Sequence, residues 1–276
     1  AVVVVNELDT LKILEKASGP AELDFMPGVF YHDPEAQKLY ITPSDARPAL
    51  MHRYTATLIG THGLYLSNAR GVAIEGLAAT GFNAIKEMPG QDYTLASVWG
   101  IFIANGKDCV IRDCRAWMNG QGIGLSSQGR ESGSNLIERC TAWANFTRFG
   151  VGDRGGITLI DPRQDTIRDS LAFLNGEYGI NIRGGERKGS LLADNIAWGN
   201  MCDFKIKSGY AHLREIERCA GQIWSLNGDA PATQSLVGRG RVECANDTIM
   251  LAAETNLNPD VEFADHLNHD YRLQAT

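Results

Sequence analysis

The sequence predicts an all-β fold, a right-handed parallel β-helix in which short strands stack as a solenoid, and three observations carry that reading. A turn residue leading a short alternating strand recurs as Gly63-Leu-Tyr-Leu, Gly100-Ile-Phe-Ile, Gly122-Ile-Gly-Leu, Gly156-Ile-Thr-Leu, Gly179-Ile-Asn-Ile and Asp203-Phe-Lys-Ile. A second strand-like segment follows each copy, beginning at Val72, Val110, Leu136, Thr166, Leu192 and Glu215. An aromatic residue then precedes an Asn: Trp117 and Asn119, Trp143 and Asn145, Phe173 and Asn175, Trp198 and Asn200, and, with one extra residue, Trp224 and Asn227.

One such unit cannot bury an apolar face by itself. Stacked copies create a continuous core and pair every internal strand edge in parallel, with equivalent residues about 4.8 Å apart. Columns of like residues follow: an Ile/Leu ladder inside, an aromatic ladder, a small-residue column at Cys114, Cys140, Ser170 and Cys219, and an Asn ladder bonding the turn backbone. A leucine-rich repeat is excluded because its L-x-x-L-x-L pattern is absent, and a β-sandwich explains neither the aromatic-to-Asn offset nor the repeat length. Six clear rungs span residues 61–227. Residues 1–60 differ from the repeat, with a short helix expected around Leu8 to Ala17, and are expected to cap one end. Residues 228–276 supply less regular strands at Arg241-Val-Glu-Cys and Thr248-Ile-Met-Leu and a closing strand at Tyr271-Arg-Leu, so the whole chain reads as one domain.

Bulk properties narrow the function. In 276 residues, 26 Lys and Arg stand against 33 Asp and Glu, a net charge of -7 that argues against a general nucleic-acid binder. No apolar run approaches the roughly 18 to 20 residues of a membrane span, and Ala1 to Val5 lacks the basic lead-in and length of a signal peptide. Opening on Ala1 rather than Met is what a processed chain or an excised fragment would show. The six cysteines contain no C-x-x-C pair, and three recur at one repeat position, so they read as small buried hydrophobes rather than as disulfides, nucleophiles or zinc ligands.

Residues 63–227 resemble the right-handed β-helix superfamily of pectin-lyase-like proteins, which includes polysaccharide lyases, uronan epimerases, glycoside hydrolases and phage tailspikes. Pro27-Gly-Val-Phe-Tyr-His-Asp-Pro with Lys38-Leu-Tyr-Ile-Thr-Pro is similar to the lead-in of bacterial carbohydrate-active β-helices, and Asp265-His-Leu-Asn-His-Asp-Tyr-Arg-Leu-Gln to their closing strand. The resemblance implies a polysaccharide or oligosaccharide partner and a secreted or periplasmic setting.

Alternation along the first strand sends Ile101 and Ile103, Ile157 and Leu159, and Ile180 and Ile182 inward. Two outward columns remain: Tyr65, Phe102, Gly124, Thr158, Asn181, Lys205; and Ser67, Ala104, Ser126, Ile160, Arg183, Lys207. The connections from Asn83 to Ile101 and from Asn145 to Ile157 are long. They are expected to wall this face, with Glu87, Asp92, Tyr93, Arg148, Asp153 and Arg154 on them. Turns on the other edge carry Asp161, Arg163, Asp165, Glu186, Arg187, Lys188, Tyr210 and His212.

Arg183 and Lys207 stand one rung apart with Lys205 beside them. Mutual repulsion, if no carboxylate compensates, favours loss of a proton from Lys207, as removal of the C5 proton of a uronate requires. The resemblance implies the same roles, since alginate-type lyases of the superfamily use a Lys and an Arg, usually with calcium; the sequence shows no obvious carboxylate cluster for that ion. The expected catalytic set is therefore Lys207, Arg183, Lys205 and Asp161, with Tyr65, Phe102, Asn181, Asp153, Arg154 and Arg163 binding substrate. In the plainer alternative, the cations line a solvated face, salt-bridged by Asp161 or Glu186. Two enzyme readings compete, a lyase or C5-epimerase and a glycoside hydrolase using Asp153 and Asp161, beside a non-catalytic glycan-binding or structural β-helix. His62 and His212 read as structural or surface residues, and the Trp column as core or rung corner rather than a sugar platform.

Overall fold

The computed structural model describes residues 4–45, 47–58, 60–83, 98–146, 155–184, 190–207, 213–217, 221–227, 230–236, 241–245, 248–251, 263–265 and 270–273; beyond Lys205 the description is of the backbone. Three sheets wrap around one axis. The first stacks Leu64–Ser67, Trp99–Ala104, Gln121–Ser126, Gly155–Ile160, Tyr178–Arg183, Cys202–Lys207 and Gly221–Asn227 in parallel. The second stacks Ala73–Glu75, Val110–Arg112, Leu136–Glu138, Thr166–Arg168, Ser190–Ala193 and Leu213–Glu217. The third, which sequence reasoning left as a run toward the aromatic, stacks Ala78–Thr80, Arg115–Trp117, Thr141–Trp143, Leu171–Phe173 and Ile196–Trp198. At the far end Ala230–Leu236 and Arg241–Ala245 join the first and second sheets in antiparallel fashion.

Inward positions form one core. Ile101, Ile123, Ile157, Ile180 and Phe204 face it from the first sheet, Ile111, Ile137, Ile167 and Leu192 from the second, and Ala116, Ala142, Ala172 and Ala197 from the third. The next rung's carbonyl oxygen, which a Cβ built on Gly122 would strike and which stands 2.6 Å from one on Gly156, together with the alanines and the Asn ladder, explains the glycine at these positions. A Cβ on Gly122 would stand 3.0 Å from the Ala142 Cβ and 2.9 Å from Asn145 Nδ2, and Gly156 meets Ala172 and Asn175 in the same way. The cross-section leaves no room for a side chain at these rungs, whereas Asp203, where the Asn ladder ends, carries one at that position. A single residue with positive φ turns the chain from second to third strand, at Gly76, Asp113, Arg139, Asp169 and Asp194.

The Asn ladder forms as predicted. Asn145 Oδ1 accepts from the Asn119 N–H and Nδ2, both at 3.2 Å; Asn175 Oδ1 accepts from the Asn145 N–H at 3.1 Å and Nδ2 at 2.9 Å. Asn200 serves Asn175 in turn, and Asp203 Oδ1 ends the series by accepting from the Asn200 N–H and Nδ2. Trp224 and Asn227, expected to extend the aromatic and Asn columns, do not. The strand Gly221–Asn227 belongs to the first sheet, where Trp224 pairs with Lys205, so the extra residue in the spacing marked a change of sheet.

The aromatic ladder stands at the rung corner, each ring ending a third strand just before a positive-φ residue. Trp117 and Trp143 stack at 4.8 Å and 4°, and Trp143 and Phe173 at 5.9 Å and 5°, on the outer face of the third sheet, because the inward position of those strands is taken by Ala. Cys109, Cys114, Cys140 and Cys202 are buried free thiols, as expected, with Ser170 continuing the small-residue column; Cys219 lies outside the described residues.

The helix expected around Leu8 to Ala17 is absent. Leu11 turns with φ 54, Lys12–Ile13 returns antiparallel onto Val4–Glu7, and Glu15–Lys16 pairs with Val29–Asp33. Strand pairing carries Leu14 onto Val5 and Phe30 in a small second core. This segment joins the solenoid where Thr57 Oγ1 donates to the Gly81 carbonyl at 3.0 Å. Within it, buried Glu7 accepts from Ser44, Thr10 and Tyr54, and the His52 ring nitrogens meet Asp9 at 2.8 Å and Asp45 at 3.1 Å.

Candidate functional site

Two of the three outer faces satisfy their own polar groups or stack upon themselves. On the second sheet Glu75, Arg112, Glu138 and Arg168 alternate in one row, with ion pairs between Arg112 and Glu75 and between Arg168 and Glu138. The third carries the aromatic stack. The first differs, and its register sets Tyr65, Phe102, Gly124, Thr158, Asn181 and Lys205 side by side, as the alternation predicted.

One end of this row is aromatic. Tyr65 is 49% exposed and lies 5.0 Å from the His62 ring; Phe102, 9% exposed, lies 5.8 Å from Tyr65 and stacks on Trp99 at 4.7 Å. Of the two residues expected to meet substrate here, Tyr65 is therefore open and Phe102 is covered. The Trp99 backbone N–H donates to His62 Nδ1 at 3.0 Å, which requires an unprotonated Nδ1, and burial lowers the imidazole pKa further. His62 is thus a neutral, stacked ring.

The middle of the face is polar and closed. Two glycines make it so, because Trp99 lies across Gly124 and Tyr178 across Gly155, in space that a Cβ at either position would occupy. The Tyr178 hydroxyl approaches Gln121 Oε1 at 3.5 Å. Burial pushes its pKa well above the ordinary phenol value, with hydrogen bonding to the Thr158 and Asn181 side chains opposing that shift and the Glu177 charge adding to it. Thr158 Oγ1, both amide atoms of Asn181 and Gln121 Nε2 are buried and have no hydrogen-bond partner of normal distance and angle, the Tyr178 hydroxyl lying near Thr158 and Asn181 without reaching that geometry.

The other end is cationic. Lys205 Nζ sits 2.6 Å from Glu177 Oε1 and 5.2 Å from the centre of the Tyr178 ring, so its carboxylate partner is Glu177, not Asp161. Glu186 lies outside the described residues. Half-buried Arg183 pairs in register with Ile160, and desolvation lowers its pKa. Asp161 sits at a turn with φ 49, accepting from Gln128 Nε2 at 2.7 Å and donating its N–H to the Arg183 carbonyl at 2.7 Å. Arg183 and Asp161 thus meet at one edge of the row.

Arg163 is not part of the face. Its guanidinium donates to the Arg130 carbonyl at 2.6 Å and its N–H to the buried carboxylate of Asp165 at 2.8 Å, on the turn toward the second sheet. Lys207 is the last residue of Cys202–Lys207; the pairing of Ile182 with Ile206 directs its backbone toward that of Arg183, and its side chain lies outside the described residues. Asp153 and Arg154, with the two long connections expected to wall the face, also lie outside them, as do Tyr210 and His212. Among the described residues no group of three or more His, Cys, Asp or Glu is placed to hold a metal ion, so the calcium implied by the resemblance has no ligand set there.

Trp99, Gln121, Glu177 and Tyr178 were not singled out from the sequence. The available signal was position: Trp99, Gln121, Gly155, Tyr178 and Cys202 all stand just before the residue that opens a first strand, and they form a second outward row. A family model described as a right-handed β-helix region matches residues 39–214. The chain belongs to that family. No curated protein and no solved structure matches it. Membership in the right-handed β-helix family establishes the solenoid and no activity.

Proposed function

We propose that this β-helix protein acts on an acidic, uronate-containing polysaccharide laid along the outer face of the first sheet, as a lyase or C5-epimerase. One observation carries the reading: a single row runs from an exposed aromatic at Tyr65, through buried amide and hydroxyl groups at Thr158 and Asn181, to the ammonium of Lys205. Aromatic faces stack on sugar rings, and cations neutralise a sugar carboxylate. In this scheme Arg183 holds the carboxylate of the reacting uronate, Lys207 removes the C5 proton, and Lys205, fixed by Glu177, supplies a standing positive charge. Glycan binding without turnover is the second reading, favoured by the carboxylate that already engages Lys205.

The test is turnover on a panel of polyguluronate, polymannuronate, polygalacturonate and glucuronate polymers. A lyase releases unsaturated uronate that absorbs in the ultraviolet; an epimerase exchanges the C5 hydrogen with solvent deuterium; a hydrolase gives new reducing ends without unsaturation. Arg183→Ala and Lys207→Ala should each lower turnover by about 100-fold or more. Unchanged turnover in both variants would overturn the assignment of these cations, and absence of binding to every uronan would overturn the substrate class.

A further inference from the structure

Gln121, Thr158, Tyr178 and Asn181 come from three adjacent rungs, meet on the outer face of the first sheet, and are each at most 1% exposed. Of the nine buried side-chain atoms without a hydrogen-bond partner among the described residues, four lie in this cluster: Gln121 Nε2, Thr158 Oγ1, Asn181 Nδ2 and Asn181 Oδ1. The internal Asn ladder shows what the same residue types do when their role is structural. There, both side-chain atoms of Asn145 and of Asn175 are bonded. Buried polar groups left unpaired together mark a place where partners are supplied from outside the chain.

The chemistry of the unpaired atoms selects the partner. Gln121 Nε2 and Asn181 Nδ2 only donate, Asn181 Oδ1 only accepts, and Thr158 Oγ1 does both. An anion would satisfy the donors and be repelled by Asn181 Oδ1. None of the four residues is charged, and the neighbouring ammonium of Lys205 is held by Glu177. A pair of adjacent hydroxyls, each donor and acceptor at once, matches the whole set. We infer that Gln121, Thr158, Asn181 and Tyr178 form a subsite for the vicinal hydroxyls of a neutral sugar edge, entered when the Tyr178 side chain swings off Gly155. This rests on the reading that a glycan lies along this face, and it deepens it: the acidic group sits toward Arg183 and Lys205, while an uncharged edge enters the closed pocket.

The experiment is calorimetric titration of the full chain with hexasaccharides of β-1,4-linked glucose, mannose and galactose and with the corresponding hexuronates, for the native protein, Thr158→Val and Gln121→Met. Each substitution keeps the side chain's size; Thr158→Val removes one unpaired polar atom, and Gln121→Met removes the unpaired Nε2 together with the Oε1 that the Tyr178 hydroxyl approaches. Binding of the tightest hexasaccharide should weaken about 5- to 10-fold in each variant, the loss of one hydrogen bond. Thermal stability should stay level or rise in Thr158→Val, because the free protein no longer buries that unpaired group, whereas Gln121→Met also takes the acceptor from the Tyr178 hydroxyl and is read by affinity. A purely structural role would move stability and leave affinity alone. Unchanged affinity in both variants overturns the subsite, as does a crystal structure of the complex with ordered water retained on Thr158 and Asn181. If neutral sugars bind with this dependence and no uronate binds, the subsite stands and the uronan reading fails. If uronates bind and both variants match the native protein, the reverse holds. Failure of every sugar to bind overturns both.

Discussion

Asn145→Ala tests the element on which the stacking of rungs depends. Asn145 is fully buried, and its side chain makes four hydrogen bonds: it accepts from the Asn119 N–H and Nδ2, and donates to the Ala116 carbonyl at 3.0 Å and to Asn175 Oδ1 at 2.9 Å. Removing it leaves the buried Asn119 N–H without an acceptor, a penalty of about 1 to 3 kcal/mol. The Asn119 amide keeps its bond to the Ala79 carbonyl and Asn175 Oδ1 keeps the Asn145 N–H, so those losses are smaller, and the whole change comes to about 3 to 5 kcal/mol. Against the usual 5 to 15 kcal/mol of a folded domain that is a large share. Urea unfolding followed by far-ultraviolet circular dichroism should show a lower midpoint at unchanged slope. Asn145→Asp makes the argument sharper, because it keeps the acceptor and turns a carboxylate toward the Ala116 carbonyl and Asn175 Oδ1. It should be at least as destabilising at pH 7 and recover as the pH falls, since the buried acid is protonated more readily in the folded state. A loss below about 1 kcal/mol for Asn145→Ala would refute this account of the ladder.

Further outcomes follow from other parts of the molecule. Gly155→Ala should cost about 1 to 3 kcal/mol because its Cβ overlaps the Tyr178 ring, and should cost little in a Tyr178→Ala background; equal costs in the two backgrounds, from thermal or urea melts, would show that the ring is not the obstacle. Burial opposes ionisation of Glu7, but hydrogen bonds from Ser44, Thr10 and Tyr54 outweigh it and lower its pKa. Its stabilising contribution is therefore present above the ordinary glutamate range and lost as the pH falls through the lower folded value, so melts of Glu7→Gln against pH should lack that acid-side decline. Cys109, Cys114 and Cys140, at most 1% exposed, should resist alkylation in the native protein and label on unfolding, as mapped by mass spectrometry; rapid native labelling at any of them would contradict the packing.

Much of the candidate face was legible before the structure, because a side chain's direction in a strand follows from alternation alone. Tyr65, Thr158, Asn181 and Lys205 fall in one row for that reason. Which of them are open was not legible. Phe102 points outward yet is covered by Trp99, and Thr158 and Asn181 lie closed beneath Tyr178, because rings reach sideways from neighbouring rungs into the room left by Gly124 and Gly155. The partner of Lys205 was misjudged for a similar reason. Glu177 stands 28 residues earlier, one rung away, and only the superposition of rungs brings the two charges together. The segment Leu8 to Ala17 shows the converse limit, since the helix expected there gives way to strand pairing that buries Leu14 on Val5 and Phe30.

The sequence by itself determined the solenoid, its Ile/Leu core, its Asn ladder and the direction of each first-strand side chain. Those properties repeat at every rung and depend on local periodicity, so one unit read correctly gives its neighbours. Tertiary structure alone decided that the aromatic ladder stands outside the third sheet, that Trp224 returns to the first, and that four polar side chains close around unpaired atoms. Each depends on how a particular rung departs from the repeat and on what the next rung places against it, which is set by contact between residues about 20 to 60 positions apart in a stack with a spacing of about 4.8 Å.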